Sequence, residues 1–508
     1  MFVQTSHFVE HLGQDTAHAV TFYGQEKTKG TIPLAKMNLA VHALEGDIQE
    51  ANTFYDDVHT LVGKCDFVMA NPPFNVDKVD AKRVKGDVRL PFGLPGVNKQ
   101  NRVSNGNYLW ISYFHSYLNE KGRAGFVMSS QASSAGHGDK EVRRKLVETG
   151  DVDVMIAIRS NFFYTRSVPC ELWHFDKGKP EERRDKVLMI DARHIYRKVT
   201  RKIFDFTPEQ LQNLSAIVWL YRGQQKRYLN LVGEYLQSIA DELAKLPEHL
   251  TAFDDVLAAL LKPLQKPEYK PCEQIKEAAD AFHAGLAELR EAHAAYENDR
   301  DKLLTSSNAW NNTWKKFPTL GNAKQIKAQD AFAPVADECR GLVKQIDLLY
   351  KLGSRCVDAL TVLARELAKG RGGNGDEKRL ADVEAVKKSL QTAKRELKGL
   401  DEKRKKVVQQ LKRTAYFHRQ AHWLQSRFPD GEFADVEGLC KLVDQKEIES
   451  NDWSLTPGRY VGVTPPEEDE DFDFEESLRE IHVELADLNT EAVELAKRIQ
   501  TNFEELVV

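Results

Sequence analysis

The chain has 508 residues, 41% of them hydrophobic and 29% charged, with a formal net charge of −5. That length exceeds one ordinary domain and calls for two or three units, while the net charge averages opposite local runs and excludes nothing about nucleic acid. No apolar run approaches membrane-spanning length, no basic-then-apolar leader opens the chain, and the six cysteines are scattered without a Cys-x-x-Cys pair; a cytoplasmic protein with reduced thiols is expected.

In chain order, the first 205 residues alternate short apolar runs with amphipathic stretches. Strands are expected over 18–24, 65–70, 124–130, 153–158, 171–175 and 186–191, and helices over 31–44 and 107–118. This alternation predicts a largely parallel sheet covered on both faces. Past about residue 206 the strand patterns stop. One heptad register runs through Val383, Leu390, Leu397, Arg404 and Leu411 at one seam position and Val386, Ala393, Leu400, Val407 and Thr414 at the other. A second runs from Leu478 through Ile481, Leu485, Leu488, Ala492 and Leu495 to Ile499. Both predict long helices that pair as coiled coil, with each other or with another chain. The expected organisation is an α/β catalytic region over 1–205, a helical domain over 206–368 and a glycine-rich linker over 369–378. A coiled-coil helix over 379–430, a connecting segment over 431–463, an acidic linker over 464–476 and a C-terminal helix over 477–508 follow.

Residues 67–76, FVMANPPFNV, hold the candidate chemistry. An apolar strand ends in an amide, two prolines and a phenyl ring. Each X-Pro step disfavours the helical region, so the chain leaves the strand extended and stiff. The side-chain oxygen of Asn71 and the backbone carbonyl of Pro72 then share one small space, beside the flat face of Phe74. Two such acceptors can take both hydrogens of an exocyclic amine and leave its lone pair free to attack a methyl donor. The alternative is an ordinary strand end followed by a proline turn. Open parallel sheets bind ligands at their carboxyl ends, which favours the chemical reading.

The same residues resemble the catalytic motif of S-adenosylmethionine-dependent amino-methyltransferases. Together with residues 1–12, 22–44, 105–118, 122–131, 161–179 and 451–463, they resemble the modification subunit of type I restriction-modification systems. The resemblance covers 1 to about 205 closely and returns near 451–463. It implies a class I, Rossmann-like S-adenosylmethionine-dependent methyltransferase sheet followed by a long helical region with coiled-coil segments. It implies adenine-N6 methylation of double-stranded DNA, with a specificity subunit choosing the site, a motor-nuclease subunit completing the complex, and no metal. Carried over, Asn71, Pro72, Pro73 and Phe74 are catalytic, Glu26 binds the cofactor ribose, and Asp47 lies near the cofactor adenine. Phe163 and Tyr164 line the pocket for the extruded base. The ordinary alternatives are a surface acid for Glu26, a cap or loop acid for Asp47, and core packing for the aromatic pair. The basic stretch Lys78, Lys82, Arg83, Lys85, Arg89, Lys99 and Arg102 reads as a phosphate-contacting loop or a solvated charge run. Gly370 to Gly375 fits a dinucleotide pattern but has no strand before it, and His418 with His422 lacks a third ligand.

In the family, an N-terminal helical domain, a strand and a glycine-rich cofactor loop precede the residues matching Met1. The resemblance therefore implies a sheet lacking its first strand, with the strands ending at Glu26 and Asn71 deprived of a shared neighbour. On that basis the chain alone is expected to bind no cofactor. A truncated, non-catalytic interaction subunit and a protein-glutamine amide methyltransferase are the competing readings.

Overall fold

The computed structural model describes residues 1–163, 167–200, 203–265, 269, 273–369, 377–464 and 474–506. Residues 1–462 form one compact unit and 463–508 another.

The first unit opens with helix α1 (Phe2–His11), strand β1 (Tyr23–Glu26), helix α2 (Thr31–Val41) and strand β2 (Asp47–Glu50). β1 and β2 pair in parallel as a two-stranded sheet of their own. The strand expected over 18–24 starts later, because Thr16–Ala19 form a helical turn capped by the Asp15 carboxylate, which accepts from the Ala17 N–H.

Strand β3 (Cys65–Ala70), helix α3 (Asn107–Tyr117), strand β4 (Leu118–Ser129) and helix α4 (His137–Glu148) follow, then strands β5 (Val152–Ile158), β6 (Cys170–Asp176) and β7 (Lys186–Asp191). β5 is apolar at six of its seven positions and buried throughout, as a strand covered on both faces must be. Its Asp153 is tolerated because the Tyr221 hydroxyl and the Arg222 guanidinium both donate to it.

A second run of helices comprises α5 (Pro208–Tyr221), α6 (Gln225–Gln265), α7 (Lys276–Thr313), α8 (Asn322–Lys369) and α9 (Glu377–Arg427). α5 starts at a reciprocal Thr207–Gln210 capping box with proline at its first position. Along α9 the heptad residues Val383, Val386, Ala393, Leu400, Val407 and Leu411 are all buried. They join one core with Leu250 and Leu257 of α6 and Leu349 and Leu360 of α8. The first heptad seam is therefore filled inside the chain, by α6 and α8. Polar ties fix the register: the Gln410 side-chain amide donates to Glu242 at 2.6 Å, and His418 pairs with Gln329 at 2.9 Å.

The chain then returns to the sheet. Strand β8 (Cys440–Asp444) pairs antiparallel with β7, from Cys440 opposite Ile190 to Asp444 opposite Lys186. The six-stranded order is β8-β7-β5-β6-β4-β3, with β3 parallel to β4, β5 parallel to β7, and the other neighbours antiparallel. The sheet is mixed, not largely parallel, and the strands do not stop at 206. Residues 431–463 belong to this sheet rather than linking two helical regions. Trp453, Leu455, Tyr460 and Val461 are buried with Val142 and Leu146 of α4 in the core beneath it.

β3 is the last strand of the order, and its outer edge pairs with no strand among the described residues. Phe67 is 74% and Met69 55% exposed, which is unusual for an apolar strand and leaves backbone groups open to solvent. A shallow groove lined by Phe67, Met69, Gly125, His174 and Arg222 runs along that region.

The second unit contains helix α10 (Phe474–Leu506), whose Leu478, Ile481, Leu485, Leu488, Leu495 and Ile499 are exposed. Gly370–Gly375 and most of the acidic stretch lie outside the described residues. No helix among the described residues is long and apolar enough to cross a membrane.

Candidate active site

The strand directions bring one set of ends together. β3 and β4 are parallel, so Asn71 leaves the sheet at the edge where β4 ends in Ser129. β6 runs the other way and begins at that edge with Cys170 and Glu171, and β5 ends there at Ile158. Phe163 follows five residues later. The order β3-β4-β6-β5 separates the β3 and β5 axes by three inter-strand spacings, roughly 14 Å.

Asn71 is exposed and Pro72 buried, so the amide projects while the first proline anchors the turn. Phe74 is half-buried and packs against both cores above and below the sheet. Phe163 is half-buried too, with its ring 6.5 Å from Phe162. Tyr164 lies outside the described residues.

Glu26 ends β1, half-buried, and one carboxylate oxygen accepts the Thr28 N–H at 2.7 Å. Among the described residues the other oxygen takes no hydrogen bond. Asp47 is not beside it. The register sets Asp47 opposite Tyr23 and Glu50 opposite Glu26, so Asp47 opens its strand, about 10 Å from the level of Glu26. It is held there by His59, whose Nδ1 lies 3.3 Å away while its Nε2 meets the Gly24 carbonyl. The residues that the fold sets at the carboxyl end of β2 are Glu50 and, just past it, Asn52.

The basic stretch divides. Arg89 is buried, paired with Asp87 and donating to the carbonyls of Thr53 and Asp56, so it pins the loop and faces no phosphate. Arg102 pairs with Asp80, and Arg83 lies over the Tyr55 ring. Lys82, Lys85 and Lys99 are exposed.

A residue absent from the sequence reading also sits on this edge. Glu171 is buried, its Oε1 accepting from Ser133 at 3.0 Å. Ser133 in turn meets Thr456 at 2.7 Å, tying the returning segment to the sheet. Burial lifts the Glu171 carboxyl to about 8. The folded chain thus keeps a proton that the unfolded chain releases near 4.5. Stability from this group is present below that value and is lost as pH rises towards about 8, by at most ~1.4 kcal/mol per pH unit. Glu171→Gln should therefore gain stability relative to the unsubstituted chain between pH 5 and 8 in denaturant titrations. Parallel pH curves for the two proteins would show the carboxyl to be ionised in the fold.

Comparison with known proteins adds the following. Residues 1–238 match the family model described as N-6 DNA Methylase. Over 249 residues the chain is 34% identical to the type I restriction enzyme MjaIX methylase subunit of Methanocaldococcus jannaschii, a match covering 48% of this chain and 44% of that protein. Over 217 residues it is 29% identical to the type I restriction enzyme HindI methylase subunit of Haemophilus influenzae, covering 42% and 47%. The chain spans less than half the length of these curated relatives. Among solved structures, the methyltransferase subunit of a type I restriction-modification system from Streptococcus thermophilus aligns at 22% identity and a TM-score of 0.37, covering 42% of this chain and 44% of that one.

Proposed function

We propose that this chain, whose residues 1–238 match the N-6 DNA Methylase family, methylates the N6 amine of an adenine flipped out of duplex DNA, as the modification subunit of a cytoplasmic type I restriction-modification system. The observation that carries this reading is Asn71-Pro72-Pro73-Phe74 at the carboxyl end of β3, on the same sheet edge as Phe163. S-Adenosylmethionine supplies an electrophilic methyl group when bound, and the free Glu26 oxygen suits its ribose hydroxyls. Asn71 Oδ1 and the Pro72 carbonyl accept the two amine hydrogens, which draws the nitrogen towards a pyramidal, nucleophilic geometry. Phe74 stacks on the base, and Phe163 closes the far side. The exposed Lys82, Lys85 and Lys99 lie in the loop that follows and suit the phosphates of the flanking duplex.

The experiment is to map N6-methyladenine across the genome of the host with the gene intact and deleted. Loss of methylation at one recurring sequence supports the proposal. A second reading, a non-catalytic interaction subunit, is favoured by the separation of Glu26 and Asn71 onto two sheets, and unchanged methylation would support it.

The proposed partners are a specificity subunit and a motor-nuclease subunit, with α10 as the docking helix for the first. Its exposed apolar seam, three and four residues apart, suits a partner helix. Deleting 477–508 should reduce co-purification of the specificity subunit at least tenfold while residues 1–462 keep their thermal unfolding transition. Undiminished co-purification would remove α10 from that interface.

A further inference from the structure

We infer that Asn107, with Asn105, is the clamp that sets the geometry of the Asn71–Phe74 motif, acting through Asn75. This rests on the methyltransferase reading only for the reaction that the clamp serves. Asn75, the residue after Phe74, adopts a left-handed backbone with φ of 55°, a conformation that asparagine tolerates better than most residues but that needs outside support. That support is a closed set of hydrogen bonds. The Asn75 N–H donates to Asn107 Oδ1 at 2.8 Å, and Asn107 Nδ2 donates back to Asn75 Oδ1 at 2.9 Å. Asn105 Nδ2 donates to the same Asn75 oxygen at 2.9 Å, while its own Oδ1 accepts the Asn107 N–H at 2.9 Å.

Asn107 is buried, as the first residue of α3, and cannot trade these bonds for water. The Gly106 N–H donates to the Val76 carbonyl at 2.8 Å, and a Cβ at Gly106 would lie 3.1 Å from that oxygen and 3.3 Å from the Phe54 ring. The glycine thus lets the helix end approach the motif's exit closely enough for the two asparagines to reach Asn75. Pro72 and Pro73 stiffen the motif from within, and the clamp fixes where it points. Asn105 and Asn107 are positioning residues, since neither touches the reacting atoms in this arrangement.

The test uses two readouts. In the purified chain, hydrogen exchange of residues 74–78 should accelerate at least tenfold in Asn107→Leu, with the thermal midpoint nearly unchanged. Asn107→Asp keeps the acceptor for the Asn75 N–H and should restore most of the protection. In the complex isolated from its host, Asn107→Leu should lower kcat roughly hundredfold, as about 1 Å of misplacement does, with KM for DNA within a factor of about three. Asn107→Asp should recover much of that rate. Unchanged exchange of 74–78 would overturn the clamp itself, and unchanged kcat with faster exchange would overturn its positioning role. An unsubstituted complex without methyltransferase activity would count against the functional reading, leaving the exchange result to decide the clamp.

Discussion

Asn71→Ala is expected to reduce adenine methylation by the host-isolated complex about 10³-fold or more while leaving affinity for S-adenosylmethionine within a factor of about two. Asn71 stands at the end of β3 with its side chain exposed, whereas the acid suited to the cofactor ribose, Glu26, is on another sheet. Removing the amide deletes one of two acceptors for the target amine and touches nothing at Glu26. Pro72, being buried, keeps the turn in place. Initial methylation rates and a cofactor titration on the same preparation check both halves. Equal loss of rate and cofactor affinity would place Asn71 at the cofactor instead.

The second large effect concerns the isolated chain: no saturable binding of S-adenosylmethionine is expected by calorimetry up to about 1 mM, which corresponds to less than ~4 kcal/mol of binding free energy. Glu26 and Asn71 must hold one cofactor and one base at a fixed separation. Among the described residues no strand joins β1 to β3, and the contacts between the two regions are side-chain contacts such as Gln25 Nε2 to the Asp56 carbonyl at 3.1 Å and Thr5 Oγ1 to Met69 Sδ at 3.8 Å. Sites of this kind tolerate displacements of about 0.5 Å, and side-chain contacts through a loop do not hold two sheets so closely. Saturable binding in the micromolar range by the purified 508-residue chain would overturn this and show the loop contacts to be sufficient.

Local pattern carried much of the fold. The runs at 65–70, 153–158 and 186–191 became strands because a continuous apolar run flanked by turn residues has few other stable outcomes. Helix 107–117 and the long helices after 206 were legible from their periodicity for the same reason. The motif at Asn71 was legible because two prolines after a strand leave little conformational choice. The place of Asp47 at the start of β2 was not legible, because a four-residue strand carries too little pattern to mark its ends. Arg89 looked like its exposed basic neighbours, since a guanidinium's partners, here Asp87 and two carbonyls, are distant or local in ways that composition does not record.

What the sequence by itself determined is the stiff, proline-held exit from β3 and the division into a strand-rich front and a helix-rich remainder. Both follow from preferences that act within a few residues of each other. Only the tertiary structure decided that the α9 seam is filled by α6 and α8, that β8 returns across more than two hundred residues to pair with β7, and that Asn107 holds Asn75. Those outcomes depend on which surfaces meet, and an apolar seam or a pair of amides is equally satisfied by any partner of matching shape until the rest of the chain has chosen one.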